Sequence, residues 1–271
     1  MSIVKEIFSY PFAVRAVVAG VLISVSAGLL GVNLVLKRFS MLGDGLSHVS
    51  FGAAAVALAT GVAPLKISIP VVIIAAFLLL RLSESGKIKG DAAIAIVSSA
   101  SLAIGVTVAT MTTGMNTDIS NYMFGSILAM SRNDVYISVA AAVAVIAVYA
   151  VFYEKIFACA FDENFAAASG VGVKLYNSIS AVLTAVVVVI GMRMMGALLI
   201  SSIITFPALS AMRVCKKYRS VVICCAVISV VAFMIGIFLS FIYDMPAGAS
   251  IVLVNLVFFL ANAALGRLKK H

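Results

Sequence analysis

The sequence predicts an all-α fold: a polytopic bundle of membrane-spanning helices, about eight or nine of them. Three observations predict it. Of the 271 residues, 64% are hydrophobic and only 11% are charged, against about a quarter charged in soluble domains. The mean hydropathy is +1.22. Apolar stretches of roughly 20 residues recur between short polar breaks, the length a helix needs to cross hydrocarbon, whereas a barrel would show short alternating segments.

The spans read from these stretches are Pro11–Leu36, Gly45–Val62, Leu65–Leu82, Asp91–Met111, Val135–Tyr153, Val173–Met192, Gly196–Arg213, Ser220–Ile242 and Ala247–Leu265. Asp118–Met130 is too short for a crossing and reads as a re-entrant or surface helix. Runs such as Gly52-Ala-Ala-Ala and Ser98-Ser-Ala-Ser let helices approach closely in lipid, where apolar burial supplies no extra drive. No linker separates two domains, so residues 1–271 are expected to form one transmembrane domain. No cleavable signal peptide is expected, because Lys5 and Glu6 precede a span with no small-residue cleavage site before a soluble domain.

Charge sets the orientation. One set of alternate breaks carries Lys37 and Arg38, then Arg81, Lys87 and Lys89, then Lys155 and Lys174, then Arg213, Lys216, Lys217 and Arg219, then Arg267, Lys269 and Lys270. The other side carries only Lys5, Lys66, Arg132 and Arg193, with Arg15 inside the first span. The basic side is cytoplasmic by the positive-inside rule, which puts the C-terminus inside and, with nine crossings, the N-terminus outside. Topology therefore accounts for the net charge of +9, and no nucleic-acid partner is expected. Cys159, Cys215, Cys224 and Cys225 form no C-x-x-C pair, so neither a disulfide framework nor a thiolate metal site is expected.

The chemistry-bearing residues are few. His48 and the terminal His271 are the two histidines, and Asp44 stands four residues before His48. On a helix, positions i and i+4 share a face. With Ser40 as N-cap, Asp44 would lie one turn inside. An ionised Asp deep in a span costs roughly 2.5–3.5 kcal/mol and marks a polar path. Carboxylate oxygen with imidazole nitrogen suits zinc and, with more oxygen ligands, manganese or iron. Two ligands do not close a site, but a symmetric dimer would supply two more. Protonating the imidazole would cost metal as the medium is acidified. The alternative is that Asp44 caps the helix at Gly45 and His48 makes a buried hydrogen bond.

A second stretch, Ala158 to Val173, predicts a short helix from Asp162 to Ser169. Asp162 and Glu163 stand at its N-terminus, where the helix dipole favours them, and Gly170 ends it. It reads as a surface helix that a partner could grip. The chain holds no G-x-x-x-x-G-K-[ST] phosphate loop and no nucleophile–base pair, so it is expected not to be an enzyme. Met192-Arg193-Met194-Met195 reads as packing rather than a copper site. Pro207 is expected to kink its span, with Thr205 and Ser210 satisfying the freed backbone. Asp244-Met245-Pro246 reads as a turn.

Together these residues resemble the permease subunit of bacterial ABC importers for zinc, manganese and iron, and the likeness covers nearly the whole chain. Leu36 to His48 is similar to the family's basic-residue, G-D-x-x-x-H signature. Phe161 to Gly170 is similar to its cytosolic D-P-E-x-A…G loop, with Asn164 where the family often has another residue. Gly196–Ile200 through Phe206-Pro207-Ala208 resembles its G-A-L-L…P-A span, and Asp244–Gly248 its D-x-P-x-G turn. The resemblance implies that Asp44 and His48 hold the transported ion, zinc ahead of manganese. It implies that Asp162, Glu163, Ala166 and Gly170 belong to a coupling helix gripped by a separate ATP-binding subunit. It further implies a homodimer in the bacterial cytoplasmic membrane, an extracytoplasmic solute-binding protein, and no bound cofactor beyond the ion carried as substrate. A gradient-driven metal transporter or channel without an ATPase is the competing expectation.

Overall fold

The computed structural model describes residues 11–84, 90–112, 123, 125, 131–197 and 199–268. These form eleven helices: α1 Pro11–Leu36, α2 Leu42–Ala59, α3 Pro64–Glu84, α4 Gly90–Met111, α5 Arg132–Val151, α6 Tyr153–Phe161, α7 Glu163–Ala168, α8 Val173–Met195, α9 Ile200–Val214, α10 Tyr218–Tyr243 and α11 Ala247–Leu268. Eight are long and apolar enough to cross a membrane, and the chain is a multi-pass membrane protein. The ninth expected span falls on α9, which has 15 residues and so reaches only about 22 Å, short of the ~30 Å hydrocarbon core. Gly196 explains the loss: its φ of +92° breaks the chain, so the helix expected from Gly196 starts only at Ile200. The stretch Asp118–Met130 lies outside the described residues except for Met123, which packs beside Met192 and Ala197, and Gly125.

The direction of each helix follows from its contacts. Ser26 Oγ donates to the Ala142 carbonyl at 3.4 Å, and Asn33 Nδ2 donates to Tyr149 Oη at 3.3 Å. Both pairs are 116 residues apart, so α1 and α5 run parallel in one register. On α10, by contrast, Phe233 fits over Gly20 and Ser229 over Gly28, so α10 runs antiparallel to α1. Gly45 packs on Ile94 and Gly52 on Ser101, which sets α2 parallel to α4. The centre of the bundle is α1 with α8: the α8 residues Ala185 to Ile190 are buried among Ile23, Ala27 and Leu30 of α1.

Two close approaches fix the helix that carries the candidate site. A Cβ on Gly52 would sit 2.6 Å from the Ser101 carbonyl oxygen, so α2 and α4 touch backbone to backbone. A Cβ on Gly31 would overlap the Ile204 carbonyl, so α9 seats directly on α1. The same Ile204 side chain reaches Gly43 on α2. Small residues at these crossings replace the hydrophobic drive that lipid does not provide.

Several expected boundaries move. The second span begins at Leu42 with Met41 as N-cap and no side-chain cap, not at Ser40, because the α1–α2 link is closed by its own backbone. There Phe39 N donates to the Leu34 carbonyl at 2.9 Å and Leu42 N to the Phe39 carbonyl at 3.0 Å. The fifth span ends at Val151, and a separate helix, α6, follows the break at Phe152. Pro207 does lie inside α9, but Thr205 Oγ1 bonds the Ser201 carbonyl and Ser210 Oγ is buried without a partner. Neither hydroxyl serves the carbonyl that the proline frees. At the other end of α10, Asp244 makes the expected turn with φ +50°.

Candidate metal site and coupling helix

Asp44 and His48 lie in the first two turns of α2. Asp44 is the third helical residue, where the free N–H groups of the helix start favour a negative charge. It does not cap the helix, which removes the alternative reading of that carboxylate. Its carbonyl accepts the Ser47 hydroxyl at 2.7 Å. Asp44 Oδ2 stands 3.7 Å from His48 Nε2, too far for a hydrogen bond but close enough for both to reach a common ion. The His48 side chain is 12% exposed and that of Asp44 36%, so the imidazole turns into the bundle rather than into lipid.

The other ring nitrogen carries the sharper signal. His48 Nδ1 is buried and has no hydrogen-bond partner. A buried polar atom left unpaired costs roughly 1–3 kcal/mol and requires an explanation. An imidazole nitrogen beside a carboxylate is a ligand set for a borderline divalent cation. Among the described residues no group of three or more His, Cys, Asp or Glu is placed to hold a metal. One chain therefore offers two ligands. The pair lies within the bundle: Gly31, at the level of Gly43 through their shared neighbour Ile204, is about 7–8 Å of helix from the end of α1.

The second candidate region sits where α1 ends. Asp162 caps α7, its Oδ1 accepting from Asn164 N at 2.9 Å and Phe165 N at 3.0 Å. Gly170 takes φ +80° and donates to the Ala167 carbonyl, while Val171 N donates to the Ala166 carbonyl. These two bonds make a Schellman close, which needs a residue tolerant of the left-handed region. The helix is therefore two residues shorter than expected, with Asp162 and Ser169 as its caps. Ala166 is fully buried, while Phe161 at the end of α6 and Phe165 in α7 are exposed, so α7 rests one side on the bundle and the α6–α7 corner offers two aromatic rings outward.

Glu163 anchors it. Lys37 Nζ donates to Glu163 Oε1 at 2.9 Å and also to Asn177 Oδ1, and Asn177 Nδ2 donates to Glu163 Oε1 at 3.1 Å. Burial raises the Glu163 pKa, but the hydrogen bonds from Lys37 and Asn177 and the Lys37 charge outweigh it and hold the carboxyl below its ordinary value. So α7 is pinned to the end of α1 and the start of α8.

Sequence reasoning missed a buried polar knot behind α7. Tyr218 Oη donates to Asn33 Oδ1 at 2.7 Å and stands 3.0 Å from Tyr149 Oη. The Tyr218 ring lies 4.2 Å from Phe157 and 5.5 Å from Tyr153, centroid to centroid. The signal was present as the aromatic row Tyr149, Tyr153, Phe157 at i, i+4, i+8, although the break at Phe152 interrupts that row. At the opposite end, Arg193 of α8 pairs with Asp134 of α5 at 2.7 Å, and Asp134 also closes a capping box with Ser131.

The chain is similar to known proteins along nearly its whole length. The chain is 27% identical to the manganese import system permease protein ScaB of Streptococcus gordonii, over 96% of this chain and 93% of that one. It is 26% identical to the high-affinity zinc uptake system membrane protein ZnuB of Haemophilus influenzae, over 91% and 95%. The fold matches the solved structure of PsaBC from Streptococcus pneumoniae in complex with Fab, with a TM-score of 0.86 at 27% identity over 96% of this chain and 93% of that chain. An inward-facing putative metal-chelate type ABC transporter shares the fold, with a TM-score of 0.76 at 14% identity. Residues 9–266 match the ABC 3 transport family, and the chain belongs to that family.

Proposed function

We propose that this chain is the membrane-spanning permease subunit of an ATP-driven importer for manganese or zinc. The observation that carries the proposal is the pairing of His48 Nε2 with Asp44 Oδ2 at 3.7 Å, on an imidazole whose Nδ1 is buried and unpartnered, in a chain whose relatives are named for import of those two metals. Sequence reasoning put zinc first. Relatives of the same degree of identity bear both names, so the cargo is written as either ion.

In this reading two copies face each other, and Asp44 and His48 of both surround one ion. Four ligands of mixed oxygen and nitrogen hold it without enclosing it, and incomplete coordination lets it leave again. The end of the bundle that carries α7 faces the cytoplasm, in keeping with its excess of Lys and Arg. α11 runs back toward that end, since α10 starts beside Asn33 and runs away from it and α11 packs along α10. A separate ATP-binding subunit grips the α6–α7 corner at Phe161 and Phe165, and a solute-binding protein delivers the ion at the opposite end. ATP hydrolysis on the partner pulls α7, and α1 and α8 move with it through Lys37, Glu163 and Asn177, as rigid bodies.

The test is metal uptake in membrane vesicles that contain this chain and its co-expressed ATP-binding subunit. His48→Ala should assemble normally yet fail to move manganese or zinc. Normal uptake by that variant, or uptake with no ATP-binding subunit co-purifying, would sink the reading.

A further inference from the structure

Around the turn joining α9 to α10 stand Arg213 at the end of α9, Lys216 and Lys217 in the turn and Arg219 at the start of α10, all exposed. Two other cations at this end of the bundle are engaged: Lys37 pairs with Glu163 and Lys155 lies over the Tyr176 ring. These four have no carboxylate partner among the described residues. The turn is also held in place, because Tyr218, between Lys217 and Arg219, is anchored inward on Asn33 and Tyr149. The cations are thus presented on a fixed base.

The second observation lies along α10. Counting from Arg219 in steps of four gives Ile223, Val227, Val231 and Ile235, and each of these four is exposed. Their neighbours one residue to either side are all buried or partly buried. The result is a strip one side chain wide, headed by a cation. From Ile223 to Ile235 it runs about 18 Å, close to the ~15 Å of hydrocarbon in one leaflet.

From this juxtaposition we infer that the α9–α10 turn and the α10 strip form a binding site for one anionic phospholipid. The phosphate sits among Lys216, Lys217, Arg219 and Arg213, and an acyl chain lies along Ile223, Val227, Val231 and Ile235. A cluster of four or more cations directly beside a span end attracts anionic headgroups, and the long Lys and Arg side chains reach the interface while their stems stay in apolar surroundings. An acidic protein surface would use the cations but leave the strip uncovered. A second copy of the chain would cover a broad face, and this strip is narrow.

Native mass spectrometry of the full-length chain in detergent, titrated with phosphatidylglycerol or phosphatidylcholine, tests the site. The wild type should hold phosphatidylglycerol at least ~10-fold more tightly than phosphatidylcholine. Lys216→Gln, Lys217→Gln and Arg219→Gln combined should erase that preference, at roughly fivefold per cation, while Arg81→Gln should leave it intact. Ile223→Ser with Val227→Ser should weaken both lipids alike. Should the triple variant fail to fold, Lys216→Gln and Lys217→Gln singly, each exposed, carry the same test. Equal retention of both lipids by the wild type overturns the inference, as does an unchanged preference in the variants. Displacement of phosphatidylglycerol by millimolar inorganic phosphate would mark a headgroup-only anion site and overturn the acyl-chain part. Cross-linking between copies through Ile223→Cys in bilayers would give the strip to a second copy and overturn the inference as well.

Discussion

Lys37 and Glu163 form an ion pair of 2.9 Å that ties the residue just past α1 to the first residue of α7. It links the segment leading into the Asp44–His48 helix to the helix proposed to meet an ATP-binding partner. With Asn177 in the same knot, a displacement of α7 must move two long helices together.

Glu163→Gln should keep the fold and weaken coupling, read as ATP hydrolysis no longer stimulated by metal transport. The Glu163 side chain is 53% exposed, so screening limits the stability loss to about 0.5 kcal/mol. The folded pKa lies below the ordinary value of 4.5. The stabilisation is therefore present above that value and is lost as pH falls through the folded pKa. Melting temperatures of wild type and Glu163→Gln should converge as the medium is acidified past the folded pKa; a gap that persists when the carboxyl is fully protonated would put the effect elsewhere.

Gly170→Ala should cost about 1–2 kcal/mol locally, because φ +80° is a left-handed conformation that a Cβ disfavours. The space around it is open, so strain alone acts. Gly172→Ala, whose Cβ would meet Leu175 at an ordinary 3.8 Å, is the matched control. Transport should fall in the first variant and not in the second.

Manganese or zinc should stabilise the purified wild-type protein, raising its melting temperature, with about 2.7 kcal/mol gained at 100 times the dissociation constant. His48→Ala and Asp44→Asn should each abolish that shift while melting normally without metal. A full metal shift in both variants would place the ion elsewhere.

Gly52→Ala should destabilise the chain by about 1–3 kcal/mol, because the new methyl would lie 2.6 Å from the Ser101 carbonyl oxygen. It pushes α2 off α4 and so displaces Asp44 and His48. Denaturant melts and metal uptake should both report it.

Tyr218→Phe removes the donor to Asn33 Oδ1 but keeps the ring against Phe157. The loss should be about 1–3 kcal/mol, the cost of a buried acceptor left unpaired, read from thermal melts. A neutral result would mean that water takes the place of the hydroxyl.

Much of the candidate site was legible in the sequence because its signals are local. Asp44 and His48 share a face by helical spacing alone, and Asp162 and Gly170 declare the ends of α7 through caps. What stayed hidden was contact between distant segments. No local pattern announces that Lys37 meets Glu163, that Tyr218 reaches Asn33 across 185 residues, or that Gly31 receives Ile204. The break at Gly196 was misread as a helix start because glycine between apolar runs fits either role.

By itself the sequence determined the solvent and the class of fold, and it singled out the candidate ligand pair, since hydropathy, span length and i,i+4 spacing are properties of neighbouring residues in a chain surrounded by lipid. Only the tertiary structure decided which way His48 turns, what holds α7, and that α9 stops short of a full crossing. Those depend on which backbones can touch, and in a membrane bundle that is settled by the fit of small residues against distant carbonyls and side chains.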